Sequence, residues 1–292
     1  MSTLTHGTVT ANGVDFAYLA AGAPDAPLAL CLHGFPDCAS TWRHLLPRLA
    51  DAGFRAVAPY QRGYAPTSIP ADGLFQSGVL GIDANALHEA LGGDDRAVII
   101  GHDWGASGTY AAAALQPERW SKVVTLAVPT ANAVPVAFLT DPEAVKRSWY
   151  MFFFQSPLSD LVVPANDLAF IDMLWRDWAP GYDASDDLPL VKASLGDPAN
   201  LAATLGYYRA TLGDGKKDPA LDAAQAATQA VPTQPTLYLH GRNDGCISAG
   251  MAEYMAGVVP SHVTVEIVDD CGHFLHLERP DVVNGRILDF LA

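Results

Sequence analysis

The chain is short of positive charge, of cysteine and of long apolar runs, and each shortage removes a class of function. Its 292 residues hold 17 Lys and Arg against 32 Asp and Glu, a formal net charge of −15. A surface of that sign repels nucleic-acid phosphates and anionic bilayers alike, so neither nucleic acid nor membrane is expected as a partner. No apolar run approaches the length of a membrane span, and Met1 to Thr10 lacks the basic and apolar regions of a secretory leader. The expectation is a soluble, cytoplasmic protein. The four cysteines, Cys31, Cys38, Cys246 and Cys271, have neither the density of a disulfide scaffold nor paired CxxC spacing, so they read as reduced thiols and no metal site is expected. Repeats and low-complexity tracts are missing too. What is present is 50% hydrophobic content with 17% charged residues, enough for one large core.

The most informative stretch is Val98-Ile99-Ile100-Gly101-His102-Asp103-Trp104-Gly105-Ala106-Ser107-Gly108. A short β-branched run reads as a buried strand, followed by a tight turn and an alanine-rich helix. In such a strand–turn–helix the middle residue is held in a strained conformation at the sheet edge, and Gly101, Gly105 and Ala106 are small because two backbones nearly touch. This is a nucleophile elbow with aspartate in place of serine. A carboxylate is ionised near neutral pH and attacks an sp³ carbon directly, forming an alkyl ester. The alternative is a plain turn with a helix-capping Asp.

Around it the chain alternates. Asn12-Gly13 between two alternating stretches predicts a hairpin. Leu28 to Leu32 reads as a buried strand, and Ser40 as the cap of a helix running through Leu49 to a stop at Gly53. A strand over Arg55 to Pro59, a helix over Gln76 to Leu91, the strand up to Ile100, a helix over 104–115 and a strand from Lys122 to Val128 follow. The rhythm then breaks into proline-punctuated helical segments rich in aromatics, including Trp149 to Phe154, Trp175, Trp178, Tyr182, Tyr207 and Tyr208. It resumes with strands Thr236 to His240 and Val263 to Val268, a helix over Ala249 to Val258 between them, and a last helix from Pro280. The expected fold is therefore α/β: a mostly parallel eight-stranded sheet with helices on both faces. Residues 1–131 and 228–292 would form the core domain, and 132–227 a helical cap inserted into it.

An ester on Asp103 must be hydrolysed by water, which requires a base and a group to orient it. Two loops at strand ends on the same sheet edge supply them: Gly241-Arg242-Asn243-Asp244-Gly245 and Asp269-Asp270-Cys271-Gly272-His273. The order Asp103, Asp244, His273 is nucleophile, acid, histidine. His276 competes as base and Asp269 and Asp270 as acid, whereas His33, His102 and His240 suit structural hydrogen bonds to loop backbones. The Phe35 and Trp104 backbone N–H groups are the candidate oxyanion donors.

With His33-Gly34-Phe35-Pro36, Arg62-Gly63-Tyr64, Gly101-His102-Asp103-Trp104-Gly105, Asp244 and Gly272-His273-Phe274 assembled, the chain resembles the α/β-hydrolases, and most of all their epoxide hydrolases. The resemblance implies conversion of a small apolar epoxide and water to a vicinal diol, without metal or organic cofactor. It also implies two cap tyrosines that hydrogen-bond the epoxide oxygen. Trp149-Tyr150-Met151 resembles the first segment and Gly206-Tyr207-Tyr208-Arg209 the second, which points to Tyr150 and Tyr208. Adjacent helical residues diverge by about 100°, so Tyr207 and Tyr208 cannot both face the site. Substrate binding would involve Phe35, Trp104, Tyr150 and Tyr208. Haloalkane dehalogenases are the nearest rival: the Asp-Trp elbow is similar, but Phe35 stands where they commonly carry a halide-binding Asn. Fluoroacetate-type dehalogenases place Arg where this chain has Trp104. A receptor-like member of the fold and a homodimer are both left open.

Overall fold

Asn12 and Gly13 adopt left-handed backbone (φ 45° and 71°), the geometry of a two-residue hairpin turn, and join β1 (Thr5–Ala11) to β2 (Val14–Ala21). The computed structural model describes residues 3–130 and 132–292. Ala131, the last residue of the expected first core segment, lies outside the described residues, as do Met1 and Ser2 of the stretch read for a leader. The other strands are β3 (Leu28–Leu32), β4 (Arg55–Pro59), β5 (Val98–His102), β6 (Lys122–Leu126), β7 (Thr236–Gly241) and β8 (Val263–Val268). They form one sheet in the order β1-β2-β4-β3-β5-β6-β7-β8; β1, β2 and β4 pair antiparallel and the rest parallel. In the central strands Leu30 pairs with Ile99 and Ile99 with Val123, all fully buried. Helices cover both faces, which is why these strands read as unbroken apolar runs.

Two local readings need correction. No helix starts at Ser40. A 3₁₀ turn over Ala39–His44 follows an extended Cys38, and a separate helix, Leu46–Asp51, begins with a proline in its first turn. Pro47 cannot donate a hydrogen bond back into the preceding turn, so the helix restarts there and Ser40 lies inside the turn. Strand β6 stops at Leu126 rather than Val128, because Ala127 turns to φ 67°.

Among the described residues no strand occurs between β6 and β7; that stretch is helical, including Trp149–Phe153, Ala165–Trp178 and Pro198–Leu212. Its aromatic side chains join a buried cluster with Phe35, Tyr64 and Phe274 from the sheet loops. The Trp175 ring stacks on Phe274 with centroids 3.8 Å apart, and its indole N–H donates to Pro36 O at 2.7 Å. Arg43 at the sheet side pairs with Asp187 on the helical side at 2.5 Å.

Candidate active site

Asp103 joins β5 to the helix Trp104–Leu115 with φ 53° and ψ −121°. That conformation costs a non-glycine residue about 1–3 kcal/mol and is held by close packing. A Cβ at Gly101 would strike Gly105 O, one at Gly105 would strike Leu32 O, and one at Gly34 would strike Asp103 Oδ1. Asp103 Oδ1 accepts from the Phe35 N–H at 2.7 Å. Trp104 is the first residue of the helix, where backbone N–H groups have no partner within the helix and favour negative charge.

On the far side of the carboxylate, His273 Nε2 lies 3.7 Å from Asp103 Oδ2. His273 follows β8, and its Nδ1 bonds Asp244 Oδ2 at 2.9 Å. Asp244 follows β7 and is fixed by the Cys246 and Ile247 N–H groups, which donate to its Oδ1 at 2.7 and 2.8 Å. Burial opposes charge on the imidazole, but the Asp244 and Asp103 carboxylates outweigh it and hold His273 up at about 10.

The rival residues are occupied elsewhere. His276 Nε2 meets Thr41 Oγ1 at 2.5 Å, and its ring stacks on Trp42. His33 Nδ1 bonds Gly34 O and its Nε2 accepts from the Gln61 N–H; His102 Nε2 bonds His273 O; His240 Nε2 bonds Ile247 O. Asp269 and Asp270 pair with Arg242 and Arg279 at the surface.

Asp103, Trp104 and Tyr208 line a common cavity of about 290 Å³, with Val128, Phe138 and Met251 among its apolar walls. Tyr208 packs edge-on against Phe35 (centroids 5.3 Å) and Trp104 (5.0 Å). Tyr207 points away, its hydroxyl donating to Arg62 O at 2.8 Å. Tyr150 is fully buried against Tyr208 (5.6 Å) and Trp178 (4.9 Å), with its hydroxyl 3.3 Å from Cys246 Sγ. The two tyrosines therefore differ: the Tyr208 hydroxyl has no hydrogen-bond partner among the described residues, and the same holds for Trp104 Nε1 and His273 Nε2. Burial, reinforced by the Asp103 charge, keeps both phenols protonated well above their ordinary range.

Two contributors escape sequence reading. Trp178 O accepts from both the His273 N–H (3.0 Å) and the Gly245 N–H (3.1 Å), so one carbonyl of the helical stretch ties together the loops that carry His273 and Asp244. Cys246 partners Tyr150. A backbone carbonyl leaves no mark in a sequence, and a lone Cys reads as packing; only the aromatic density around Trp178 hinted at a role.

Comparison with known proteins places the chain in a family. The model of the alpha/beta hydrolase fold family matches residues 27–280, and the chain belongs to that family. Within it the chain sits among the epoxide hydrolases: it is 30% identical to Epoxide hydrolase A of Mycobacterium tuberculosis over 100% of this chain and 98% of the relative. It is also 28% identical to the AB hydrolase superfamily protein YfhM of Bacillus subtilis, over 97% and 96%. Among solved structures, Epoxide Hydrolase A from Mycobacterium thermoresistibile superposes with a TM-score of 0.77 at 26% identity, covering 99% of this chain and 98% of that one. An epoxide hydrolase from hot-environment metagenomes superposes at 0.83 with 27% identity, covering 99% of both.

Proposed function

We propose that this hydrolase converts a small, predominantly apolar epoxide and water to a vicinal diol in two covalent steps, with residues 132–227 as the cap over the site. The Asp103 oxygen not held by Phe35 attacks an epoxide carbon. The C–O bond breaks as Tyr208, assisted by Tyr150, hydrogen-bonds and then protonates the departing oxygen, since a bare alkoxide leaves poorly. His273, oriented by Asp244, next takes a proton from water, and the resulting hydroxide attacks Asp103 Cγ. The Phe35 and Trp104 N–H groups hold the oxyanion until the ester C–O bond breaks; the proton left on the water-derived oxygen at Cγ passes to the departing alkoxide, so diol leaves and the Asp103 carboxylate is restored. His273 returns its proton through solvent to the tyrosinate. Esterification removes one of the two carboxylate charges beside His273, which frees the imidazole to act as base in the second step.

The observation that carries this reading is the elbow carboxylate between the Phe35 N–H and His273, facing a cavity shared with an unpartnered Tyr208 hydroxyl. One feature favours haloalkane dehalogenation as a second reading: the unpartnered Trp104 indole N–H at the same cavity is a halide donor in waiting. Turnover of an aryl epoxide and of a bromoalkane of similar size separates the two. Diol formation lost in Asp103→Ala and weakened in Tyr208→Phe and Tyr150→Phe is the expected result. Halide release without diol, indifferent to both tyrosines, overturns it. In His273→Gln the first step should persist, so intact mass spectrometry should find substrate mass retained on Asp103; an unmodified protein counts against the assignment.

A further inference from the structure

The cavity that holds Asp103 and Tyr208 is also lined by polar side chains that the chemistry does not use: Ser77, Thr211, Gln225, Thr228 and Gln229. Three of them are tied to one another. Gln225 Nε2 donates to Ser77 Oγ at 2.7 Å, the Gly78 N–H donates to Gln225 Oε1 at 3.2 Å, and Thr228 Oγ1 donates to Gln225 O at 2.8 Å. The other two are not satisfied. Thr211 Oγ1 and Gln229 Oε1 are buried atoms without a hydrogen-bond partner among the described residues. Thr211 stands three residues past Tyr208 in the helix Pro198–Leu212, on the same face and about 4.5 Å further along the axis. Polar atoms left this way cost free energy unless a molecule in the cavity meets them.

We propose that Thr211 and Gln229 form a polar subsite of the cavity and select an epoxide that carries a neutral hydroxyl on the arm away from its ring. The inference rests on the hydrolase reading above and narrows its substrate class. A hydroxyl both donates and accepts, so it can give its proton to the Gln229 amide oxygen and take one from the Thr211 hydroxyl. A carboxylate arm has no cation to meet: among the described residues no Lys or Arg lines the cavity, and Asp103, its one charged residue, repels an anion. A wholly apolar arm leaves both atoms unpaired. The hydroxyl arm suits the rest of the cavity as well, because its hydrocarbon spacer lies against walls such as Val134, Phe138 and Met251.

The test uses two terminal epoxides of equal length: epoxyhexanol, with its hydroxyl at the chain end opposite the ring, and epoxyheptane, with a methyl in that place. In a plain apolar cavity the alcohol is the poorer substrate, since its hydroxyl leaves water and gains no partner. The expected result is the reverse, a kcat/KM about tenfold higher for epoxyhexanol, the size of one or two net hydrogen bonds. Thr211→Val combined with Gln229→Leu removes the polar atoms at near-constant volume and should bring that ratio to unity or below. Dissociation constants of the same two epoxides for Asp103→Ala, which cannot form the ester, should show the same preference and read the subsite without the chemistry. A wild-type ratio at or below unity, a ratio that survives the double substitution, or equal or tighter binding of epoxyheptane by Asp103→Ala overturns the proposal. Preferential binding of epoxyhexanol with no diol formed by wild type from either compound would instead sink the hydrolase reading and leave the subsite standing.

Discussion

Tyr150 and Tyr208 carry the same functional group in unequal surroundings. Tyr208 lines the cavity with a hydroxyl that has no partner among the described residues, whereas the Tyr150 hydroxyl meets Cys246 Sγ at 3.3 Å and, in the proposed reaction, would exchange that contact for the epoxide oxygen. Their removal should therefore cost unequally. Tyr208→Phe is expected to lower the single-turnover rate of ester formation by about 10²-fold, the low end for a positioned acid, and Tyr150→Phe by clearly less. Cys246→Ala should partly release the Tyr150 hydroxyl and narrow the gap between the two. Rapid-quench measurement of ester formation checks all three; equal losses in the two tyrosine variants would mean that the Cys246 contact has no influence. That Tyr207 and Tyr208 point different ways was legible because helical geometry alone separates neighbours. The asymmetry between Tyr150 and Tyr208 was not, since Cys246 reaches Tyr150 only through the fold.

At the scale of elements, the strand–turn–helix at Asp103 was the most legible feature, because its cause is local: β-branched residues build the strand and small ones let the helix start against it. The glycines there differ in kind from glycine elsewhere. Gly105→Ala would drive a methyl into Leu32 O, and backbone cannot yield as a side-chain tip can. Urea denaturation should show a loss of about 3 kcal/mol. Gly285, inside the helix Pro280–Leu291, has open space where a methyl would stand, with nothing within 4 Å of it, so Gly285→Ala should stabilise by about 0.5–1 kcal/mol. The start of the first helix was misread for the opposite reason. A capping serine is a statistical signal, and Pro47 about two turns later decides where the helix begins.

For the whole molecule, the buried histidines that brace the loops contribute to the response to acid. His33 is fully buried and neutral; burial lowers it from 6.5 to about 4, against a smaller opposing effect of its bond to Gly34 O. Its Nε2 accepts from the Gln61 N–H at 3.0 Å, so protonation would also break that bond. In the unfolded chain the same imidazole takes up a proton near pH 6.5. Between pH 6.5 and about 4 the unfolded state thus binds the extra proton, and stability falls as pH falls. The fall from 6.5 to about 4 corresponds to a loss of about 3 kcal/mol, absent above pH 6.5 and complete below about pH 4. His273 works in the other direction: its folded value is raised, so its contribution is complete below pH 6.5 and fades as pH rises toward about 10. It cannot offset the acid loss, because it gains nothing further below pH 6.5. Asp37 and Glu278, both raised by burial to about 7, gain stability over the same window as pH falls, so the effect of His33 is read from the difference between urea midpoints of wild type and variant at about pH 7, 5.5 and 4. In His33→Gln, which keeps a polar side chain but cannot charge, the midpoint should start lower than in wild type, and the difference should shrink toward the acid end of the window. A difference that stays constant would assign the acid response to the other buried groups and remove His33 from the account.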